Sequence, residues 1–221
     1  RMHMSEITIC YGMTETAPVS AQSSTSDSVE QRVGTVGRVH PHLEIKIVDE
    51  QGKVVPRGQL GELCVRGYSV MLGYWEDHEK SQEVIDSARW MHTGDIAEMY
   101  EAGFVKIKDR IKDVVIRGGE NLFPKEIEDF LYTHPDVSDV QVIGLPDARY
   151  GEELCACIIL HEHHEITEES IRQYCAEHIS HNKVPRYVRF FNEFPMTASG
   201  KAQKFKLQEF MRNELDLKEI A

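Results

Sequence analysis

Four short segments of the chain combine residue types that suit nucleotide chemistry. The first is Tyr11-Gly12-Met13-Thr14-Glu15. Gly12 lets the backbone come close to a ligand, the hydroxyl of Thr14 can bond a phosphate oxygen, and the carboxylate of Glu15 suits a magnesium ion. By itself this segment is equally typical of a surface turn, so its meaning depends on the other three.

The second and third segments carry a carboxylate and several cations. In Trp90-Met91-His92-Thr93-Gly94-Asp95, an aspartate follows a glycine turn and could accept both hydroxyls of a ribose. By itself, an aspartate in a turn is more typical of a residue that caps the local backbone. The third segment, 108–121, places alternating charges before a strand and two glycines after it. Within it, Arg110 stands where a nucleotide contact and a hinge could coincide.

The fourth segment delivers a lysine on a loop of small residues, Pro195-Met196-Thr197-Ala198-Ser199-Gly200-Lys201. Its Gly-Lys pair is reminiscent of a phosphate-binding P-loop. However, Pro195 stands where that motif needs glycine and Ala202 follows the lysine, so the P-loop pattern fails. Lys201 needs another explanation.

The elements that must position these segments change in character along the chain. Apolar alternation at Leu43, Ile45 and Ile47, with turn residues between such runs, predicts short strands in the first half. These strands predict one small barrel or curled sheet, in which residues 97–107 form a hairpin. The polar, aperiodic segment 20–30 predicts an exposed loop.

After residue 111, strands alternate with helices, which indicates a mixed α+β fold. Pro124 is placed to start a helix, and Thr167 to cap another. Residues 137–144 and 154–160 predict buried strands. A closing helix is predicted over 206–221, with Leu207, Phe210, Met211 and Leu215 on one stripe.

Composition excludes several classes of protein. The 221 residues carry a formal net charge of -12, which disfavours a nucleic-acid partner or an anionic membrane surface. No apolar run is long enough for stable membrane insertion, so we expect a cytoplasmic protein. Five scattered cysteines suggest buried thiols rather than disulfides or a zinc site. The histidines of the segment 161–165, HEHHE, predict a solvated loop rather than a metal site.

In their order along the chain, the four segments resemble the C-terminal part of an acyl-CoA synthetase of the adenylate-forming superfamily. The family patterns YGxTE, TGD, GR-x-K/D-D, GGENIxPxEIE and PxTxSGK have counterparts that spread over nearly the whole chain. Within that superfamily, RGGENLFPKEIED, HPDV and KVPRYV are most similar to fatty-acid CoA ligases, especially the medium-chain ones. The resemblance implies the β-rich C-terminal part of a large AMP-binding domain over 1–110. It implies a small α+β lid domain over 111–221.

The resemblance also implies roles for individual residues around the nucleotide. Tyr11 would stack on adenine, Thr14 would bind phosphate oxygens and Glu15 would hold Mg²⁺. Asp95 would bind the ribose diol, with Arg110 as its basic partner on the same sugar.

A second set of roles falls in the small domain. Lys112 would be its hinge, and Gly118 and Gly119 would line the tunnel for the pantetheine arm of coenzyme A. Lys201 would contact the reacting carboxylate and the α-phosphate of ATP. One departure is Asp109, where the family usually has glycine, so the turn before Arg110 could differ.

The implied activity is two-step ligation. A fatty carboxylate and magnesium ATP give an acyl-adenylate, and coenzyme A then displaces AMP. The family's phosphate loop and acyl pocket lie upstream of YGxTE, so we expect a fragment that is inactive alone and exposes apolar surface meant for the missing N-terminal part. Self-association into a homo-oligomer would follow from that surface. Two alternatives stay open, namely an enzyme that loads a carrier protein and a non-catalytic module that binds nucleotide or coenzyme A.

Overall fold

The computed structural model describes residues 4, 6–198 and 200–217, which divide into two units, Arg1–Ile111 and Lys112–Ala221. This boundary lies one residue after the one expected from the sequence. The assignment of the units to a large AMP-binding domain and a lid domain stays a prediction.

Antiparallel strands dominate the first unit. Strands β1 to β3 pair in that order in one sheet, and β4 to β7 form a second sheet in which each strand pairs with the next. The strands are β1 Cys10–Tyr11, β2 Ala21–Gln22, β3 Arg38–Val39, β4 Leu43–Val48, β5 Gly61–Gly67, β6 Met91–Met99 and β7 Val105–Arg110. Two short helices, α1 Val29–Gly34 and α2 His78–Val84, interrupt them.

The predicted hairpin of the first unit is confirmed, because Ala97 pairs with Ile107 across β6 and β7. The prediction of one barrel or curled sheet is wrong, since the strands divide between two sheets. One core cluster of the larger sheet joins Ile47, Leu63 and Val105, on three different strands. Sequence periodicity located the strands, but their partition depends on pairing that periodicity does not encode.

The prediction of an exposed loop over residues 20–30 holds only in part, since most of these residues are exposed but the segment also contains strand β2 and buried polar residues. Ser20, Ser23 and Asp27 are buried there, and β2 lies between β1 and β3. The backbone N–H of Ser23 donates to the Ile9 carbonyl at 2.9 Å, and the Asp27 carboxylate pairs with Arg38 at 3.1 Å. Ser23 and Asp27 can be buried because distant parts of the chain supply their polar partners.

The second unit is a sheet with helices on both faces. Strands lie in the order β10, β11, β8 and β9, and β12 pairs in parallel with β11. The elements are β8 Val115–Arg117, β9 Glu120–Leu122, α3 Pro124–Leu131, β10 Val137–Asp147, β11 Gly151–Leu160, α4 Glu168–His178, β12 Tyr187–Phe190 and α5 Lys204–Glu214.

Strand β11 is buried on both faces, which explains its continuous apolar sequence. Leu154 and Ile158 pack in a cluster with α3 and α4, whereas Cys155 and Cys157 pack with α5. The predicted helix starts are confirmed, because Pro124 stands in the first turn of α3 and the hydroxyl of Thr167 accepts a hydrogen bond from the Ser170 N–H. The predicted strands at 137–144 and 154–160 are confirmed as well.

Two details differ from the sequence prediction. In α5, Leu207 and Met211 are buried one turn apart, but Phe210 is 53% exposed, with its ring against that of Phe191. Cys10 is exposed, so the prediction of buried thiols holds only for the other four cysteines. Residues 218–221 of the predicted closing helix lie outside the described residues. The histidines of HEHHE are exposed, as predicted.

Among the described residues, no helix combines the length and the apolar character that crossing a bilayer requires. The first unit does expose large apolar side chains, as expected. Leu72 is 94% exposed and Trp75 is 90% exposed.

Candidate nucleotide-binding site

Three of the predicted nucleotide-binding residues meet in the first unit. Asp95 on β6 is the register partner of Arg110 on β7. The hydroxyl of Tyr11, on β1, donates a hydrogen bond of 2.5 Å to Oδ2 of Asp95, while Nε of Arg110 lies 3.5 Å from Oδ1. The pairing of β6 with β7 and the packing of β1 thus bring together side chains that are up to 99 residues apart.

A bulge in β6 places Asp95. Residues 93–95 of β6 stand opposite the single residue Leu63 of β5, because Glu62 pairs with Ile96 and Cys64 with His92. Gly94 has a φ of 71°, a left-handed conformation that favours glycine. The hydroxyl of Thr93 donates to the Leu63 carbonyl at 2.7 Å. The turn that carries Asp95 is therefore held by the neighbouring strand.

Charge and burial decide what this cluster can do. Asp95 is buried, whereas the Arg110 side chain is 54% exposed and can reach a ligand. Burial raises the pKa of the Tyr11 hydroxyl, and the hydrogen bond to Asp95 raises it further, so this hydroxyl stays a donor. A carboxylate held by one hydroxyl and one guanidinium keeps lone pairs for a vicinal diol.

Both the ring and the hydroxyl of Tyr11 are held by other residues of the first unit. Its ring packs against the core cluster of Ile47, Leu63 and Val105, and its hydroxyl is bonded to Asp95. Stacking of this ring on adenine stays a prediction.

The residues after Tyr11 form a tight loop. Thr14, Glu15 and Thr16 make one turn of 3-10 helix, in which Thr14 is exposed and Glu15 is half-buried. Oε1 of Glu15 accepts a hydrogen bond of 3.0 Å from the hydroxyl of Tyr74. Thr14 and Glu15 therefore share one turn, and Glu15 is held in place by a residue outside it.

Gly12 has a structural explanation that the sequence did not reveal. A Cβ at this position would lie 1.6 Å from the carbonyl oxygen of Pro18, so the loop closes only because no side chain is present. The backbone that comes close to Gly12 belongs to this chain. Direct contact of Gly12 with a ligand stays a prediction.

Gly12→Ala should therefore destabilise the first unit by about 1–2 kcal/mol, as expected for an overpacked site. The matched control is Gly34→Ala in α1, where no atom lies within 4 Å of the added carbon and alanine favours the helix. Urea unfolding of the 221-residue chain measures both variants. Equal stability of Gly12→Ala and the unmodified chain would show that the loop accommodates the methyl group.

In the second unit, the two glycines form a two-residue hairpin turn. Arg117 on β8 pairs with Glu120 on β9, and Gly118 and Gly119 between them have φ of 61° and 86°. Positive φ at both positions is the requirement of a type I′ turn. The turn explains both glycines without a ligand, and their contact with a pantetheine arm stays a prediction. Lys112 is exposed in the 3-10 turn Ile111–Asp113, at the boundary of the units.

Lys201 ends a small hairpin loop. Its backbone N–H donates to the hydroxyl of Thr197 at 3.0 Å, and the Thr197 N–H donates to the Lys201 carbonyl at 2.8 Å. The Lys201 side chain is exposed, and its ammonium makes no ion pair within the part of the chain that the structure describes. The loop thus presents a cation to solvent. Ser199 lies outside the described residues.

The departure at Asp109 lies within strand β7, next to Arg110. Asp109 is buried, and its carboxylate accepts a hydrogen bond of 2.8 Å from the backbone N–H of Arg110. The strand continues through both residues.

Sequence reasoning missed Glu62. One of its carboxylate oxygens accepts the Gly94 N–H at 3.0 Å and the other lies 2.7 Å from Nδ1 of His92. Cys64 completes this group, and burial raises the pKa of its thiol to about 12. The interpretation that His92 faces the nucleotide is untested, but the structure does show the ring bonded to Glu62. Only the pairing of β5 with β6 reveals the group.

Comparison with known proteins places the whole arrangement in a family context. Residues 1–75 match the AMP-binding enzyme family, and residues 126–201 match the AMP-binding enzyme C-terminal domain. The mitochondrial medium-chain acyl-CoA ligase ACSF2 of Bos taurus is 51% identical over 218 residues, 98% of this chain and 35% of that protein. The putative acyl-CoA synthetase YngI of Bacillus subtilis (strain 168) is 50% identical over 210 residues, 95% of this chain and 38% of that protein.

Solved structures agree with these relatives. ATP-bound MatB from Rhodopseudomonas palustris has a TM-score of 0.87 and 33% identity, covering 94% of this chain and 41% of that chain. The o-succinylbenzoate CoA synthetase MenE from Bacillus subtilis, with its acyl-adenylate intermediate, has a TM-score of 0.85 and 30% identity, covering 92% and 41%. This chain spans less than two fifths of the two curated relatives. The two matched segments make up more than half of its residues, and the chain belongs to the AMP-binding enzyme family, in which these relatives are acyl-CoA ligases or synthetases.

Proposed function

We propose that this chain supplies the ribose site, part of the magnesium site and the lid of an ATP-dependent acyl-CoA synthetase. The enzyme would join a fatty acid to coenzyme A by way of an acyl-adenylate. Similarity to medium-chain acyl-CoA ligases supports a fatty acid as the substrate class.

The contact of Tyr11 and Arg110 with the buried Asp95 carries this proposal. A buried carboxylate is costly unless it is paired and hydrogen-bonded, and here its partners come from two separate strands. Such a preorganised acceptor suits the two hydroxyls of a ribose, whereas Arg110 keeps an exposed guanidinium toward the same ligand.

The residues present also fit a magnesium ion. Mg²⁺ is usually held by one or two carboxylates together with substrate phosphates. Glu15 offers one such carboxylate, with Oε1 fixed by Tyr74 and no hydrogen bond to Oε2 from the described residues. Thr14 offers an exposed hydroxyl one residue away for a phosphate oxygen. When bound, the ion would offset the charge of the triphosphate.

Lys201 would act in the first half-reaction. As the carboxylate attacks the α-phosphorus, negative charge gathers there, and a fixed ammonium lowers the energy of that transition state. The exposed position of Lys201 on a loop closed by hydrogen bonds to Thr197 supports this role.

The second half-reaction requires Lys201 to withdraw so that the thiol can approach. We propose rotation of the second unit about Lys112, which would bring the Gly118–Gly119 turn toward the pantetheine arm. Its missing side chains would leave width for that thin chain.

The phosphate loop and acyl pocket would come from a further part of the large domain, which would cover the exposed Leu72 and Trp75. A cytoplasmic location stays a prediction. One relative is a mitochondrial enzyme by name.

A hybrid enzyme tests this function. In it, the 221 residues replace the matching segment of the Bos taurus ligase, which is 51% identical over 218 residues. We expect ATP–pyrophosphate exchange that depends on a medium-chain fatty acid, and acyl-CoA formation when coenzyme A is added. AMP binding by the 221-residue chain alone provides a measurement that does not depend on the hybrid.

Two outcomes would contradict the proposal. Exchange with acyl transfer only to a phosphopantetheinyl carrier protein would make the chain part of a carrier-loading enzyme. Binding of AMP without exchange in a folded hybrid would make it a non-catalytic nucleotide-binding module.

A further inference from the structure

Three residues with different metal-ligating groups meet on β5 and β6, beside the bulge that carries Asp95. Cys64 is the register partner of His92, and Glu62 precedes Cys64 by two residues on the same strand. A carboxylate oxygen, Sγ of Cys64 and a ring nitrogen of His92 all lie within 4.8 Å of one another. Neither disulfide chemistry nor the ribose site uses this group.

The spacing of these atoms suits a tetrahedral metal. Sγ of Cys64 and Nδ1 of His92 are 3.6 Å apart. Zinc bonds of about 2.3 Å to sulfur and about 2.1 Å to nitrogen, at a tetrahedral angle, place the two atoms about 3.6 Å apart. Nδ1 of His92 and Oε2 of Glu62 are closer, at 2.7 Å, and would separate to about 3.4 Å around an ion.

Both of the closer side chains are partly accessible to solvent. The side chain of His92 is 29% exposed and that of Glu62 is 21% exposed, so an ion in solvent can reach them. Cys64 is fully buried below them and supplies the inner ligand.

A backbone hydrogen bond already orients the Glu62 carboxylate for binding a metal ion. Its second oxygen, Oε1, accepts the backbone N–H of Gly94 at 3.0 Å. Hydrogen bonds of this kind to the free atom of a ligand group fix its direction and are a usual part of metal sites.

We propose that Glu62, Cys64 and His92 form a zinc-binding site, with water as the fourth ligand. The ligand set selects the ion, since a thiolate and an imidazole favour Zn²⁺ over Mg²⁺ or Ca²⁺, which prefer oxygen. On coordination, the thiol proton of Cys64 passes to solvent and sulfur bonds the metal. This site is separate from the Glu15 magnesium site, which has only oxygen ligands.

The chain also has a histidine-rich segment, and any test must distinguish zinc bound there from zinc bound at the proposed site. An exposed loop of the second unit carries His161, His163 and His164. Exposed histidines can bind zinc weakly without a preformed set of ligands. They contain no thiol, so a thiolate signature distinguishes the two locations.

The experiment is titration of the 221-residue chain with Zn²⁺ and with Co²⁺, which replaces zinc and reports thiolate coordination by its charge-transfer absorption. We expect one ion per chain and a thiolate band. Cys64→Ser should abolish the band, and His92→Gln should weaken Zn²⁺ binding by about tenfold or more. Circular dichroism confirms that each variant is folded.

Matched controls decide the location. Cys10→Ser removes the exposed thiol, and the triple variant H161Q/H163Q/H164Q removes the histidine loop, so both should bind zinc as the unmodified chain does. The proposal is overturned if no stoichiometric binding occurs, if the band survives Cys64→Ser, or if either control loses the site. No readout uses nucleotide or catalysis, so these results stand apart from those on the proposed function.

Discussion

Replacing Lys201 by alanine in the hybrid enzyme should slow acyl-adenylate formation by about 100-fold to 1,000-fold, which corresponds to a loss of about 3 kcal/mol or more of transition-state stabilisation. The ammonium is exposed on a loop that Thr197 closes, and no described residue neutralises it. Its charge is therefore available to the α-phosphate during attack. ATP–pyrophosphate exchange at saturating fatty acid measures this step.

The same variant should leave the second half-reaction nearly unchanged. When acyl-adenylate and coenzyme A are supplied, the proposed rotation withdraws Lys201, so thioester formation needs no ammonium there. Lys206→Ala is the matched control, since it removes an exposed lysine five residues away and should affect neither step. Equal loss of both half-reactions in Lys201→Ala would refute the division of labour between the two states.

The sequence predicted the second unit well because its signals are local. Pro124 and Thr167 start helices through contacts within one turn, and β11 is an apolar run that is buried on both faces. The segment 20–30 shows the opposite case. The burial of Ser23 and Asp27 within it depends on a hydrogen bond from Ser23 to Ile9 and on an ion pair between Asp27 and Arg38, and neither partner is visible in local periodicity.

The candidate site was predictable only through resemblance to a family. Nothing in the spacing of Tyr11, Asp95 and Arg110 indicates that they touch, because the register of β6 with β7 and the packing of β1 bring them together. Glu62 escaped prediction for the same reason. It is one of many acidic residues in the sequence, and its two contacts become apparent only once the bulge in β6 is known.

The glycines show that the structure can account for a motif residue without any ligand. Gly12 was expected to make room for a ligand, yet the group that fills this room is the Pro18 carbonyl. Gly118 and Gly119 were expected to line a tunnel, and their positive φ values already account for them as a hairpin turn. In each case the glycine of a family motif is required by the backbone conformation, and any contact with substrate would be an additional role.

Asp95→Asn should weaken AMP binding to the hybrid enzyme by about tenfold to a hundredfold, because hydrogen bonds to a charged group contribute about 1.5–3 kcal/mol. Asparagine keeps the shape of the side chain but loses one acceptor oxygen and the charge that Arg110 faces. Tyr11→Phe should have a smaller effect, since it removes only the hydroxyl that orients the carboxylate and keeps the ring. Calorimetric titration with AMP measures both variants.

Combining the Asp95→Asn change with removal of the ribose hydroxyls of AMP tests whether Asp95 binds the ribose. The unmodified hybrid should bind 2′,3′-dideoxy-AMP about as weakly as the Asp95→Asn variant binds AMP, because the same hydrogen bonds are lost in either case. The variant should then lose little further affinity when the hydroxyls are removed, so the two effects overlap rather than add. If removing the hydroxyls weakens binding equally in both proteins, Asp95 does not hold the sugar, and its contacts with Tyr11 and Arg110 serve the fold alone.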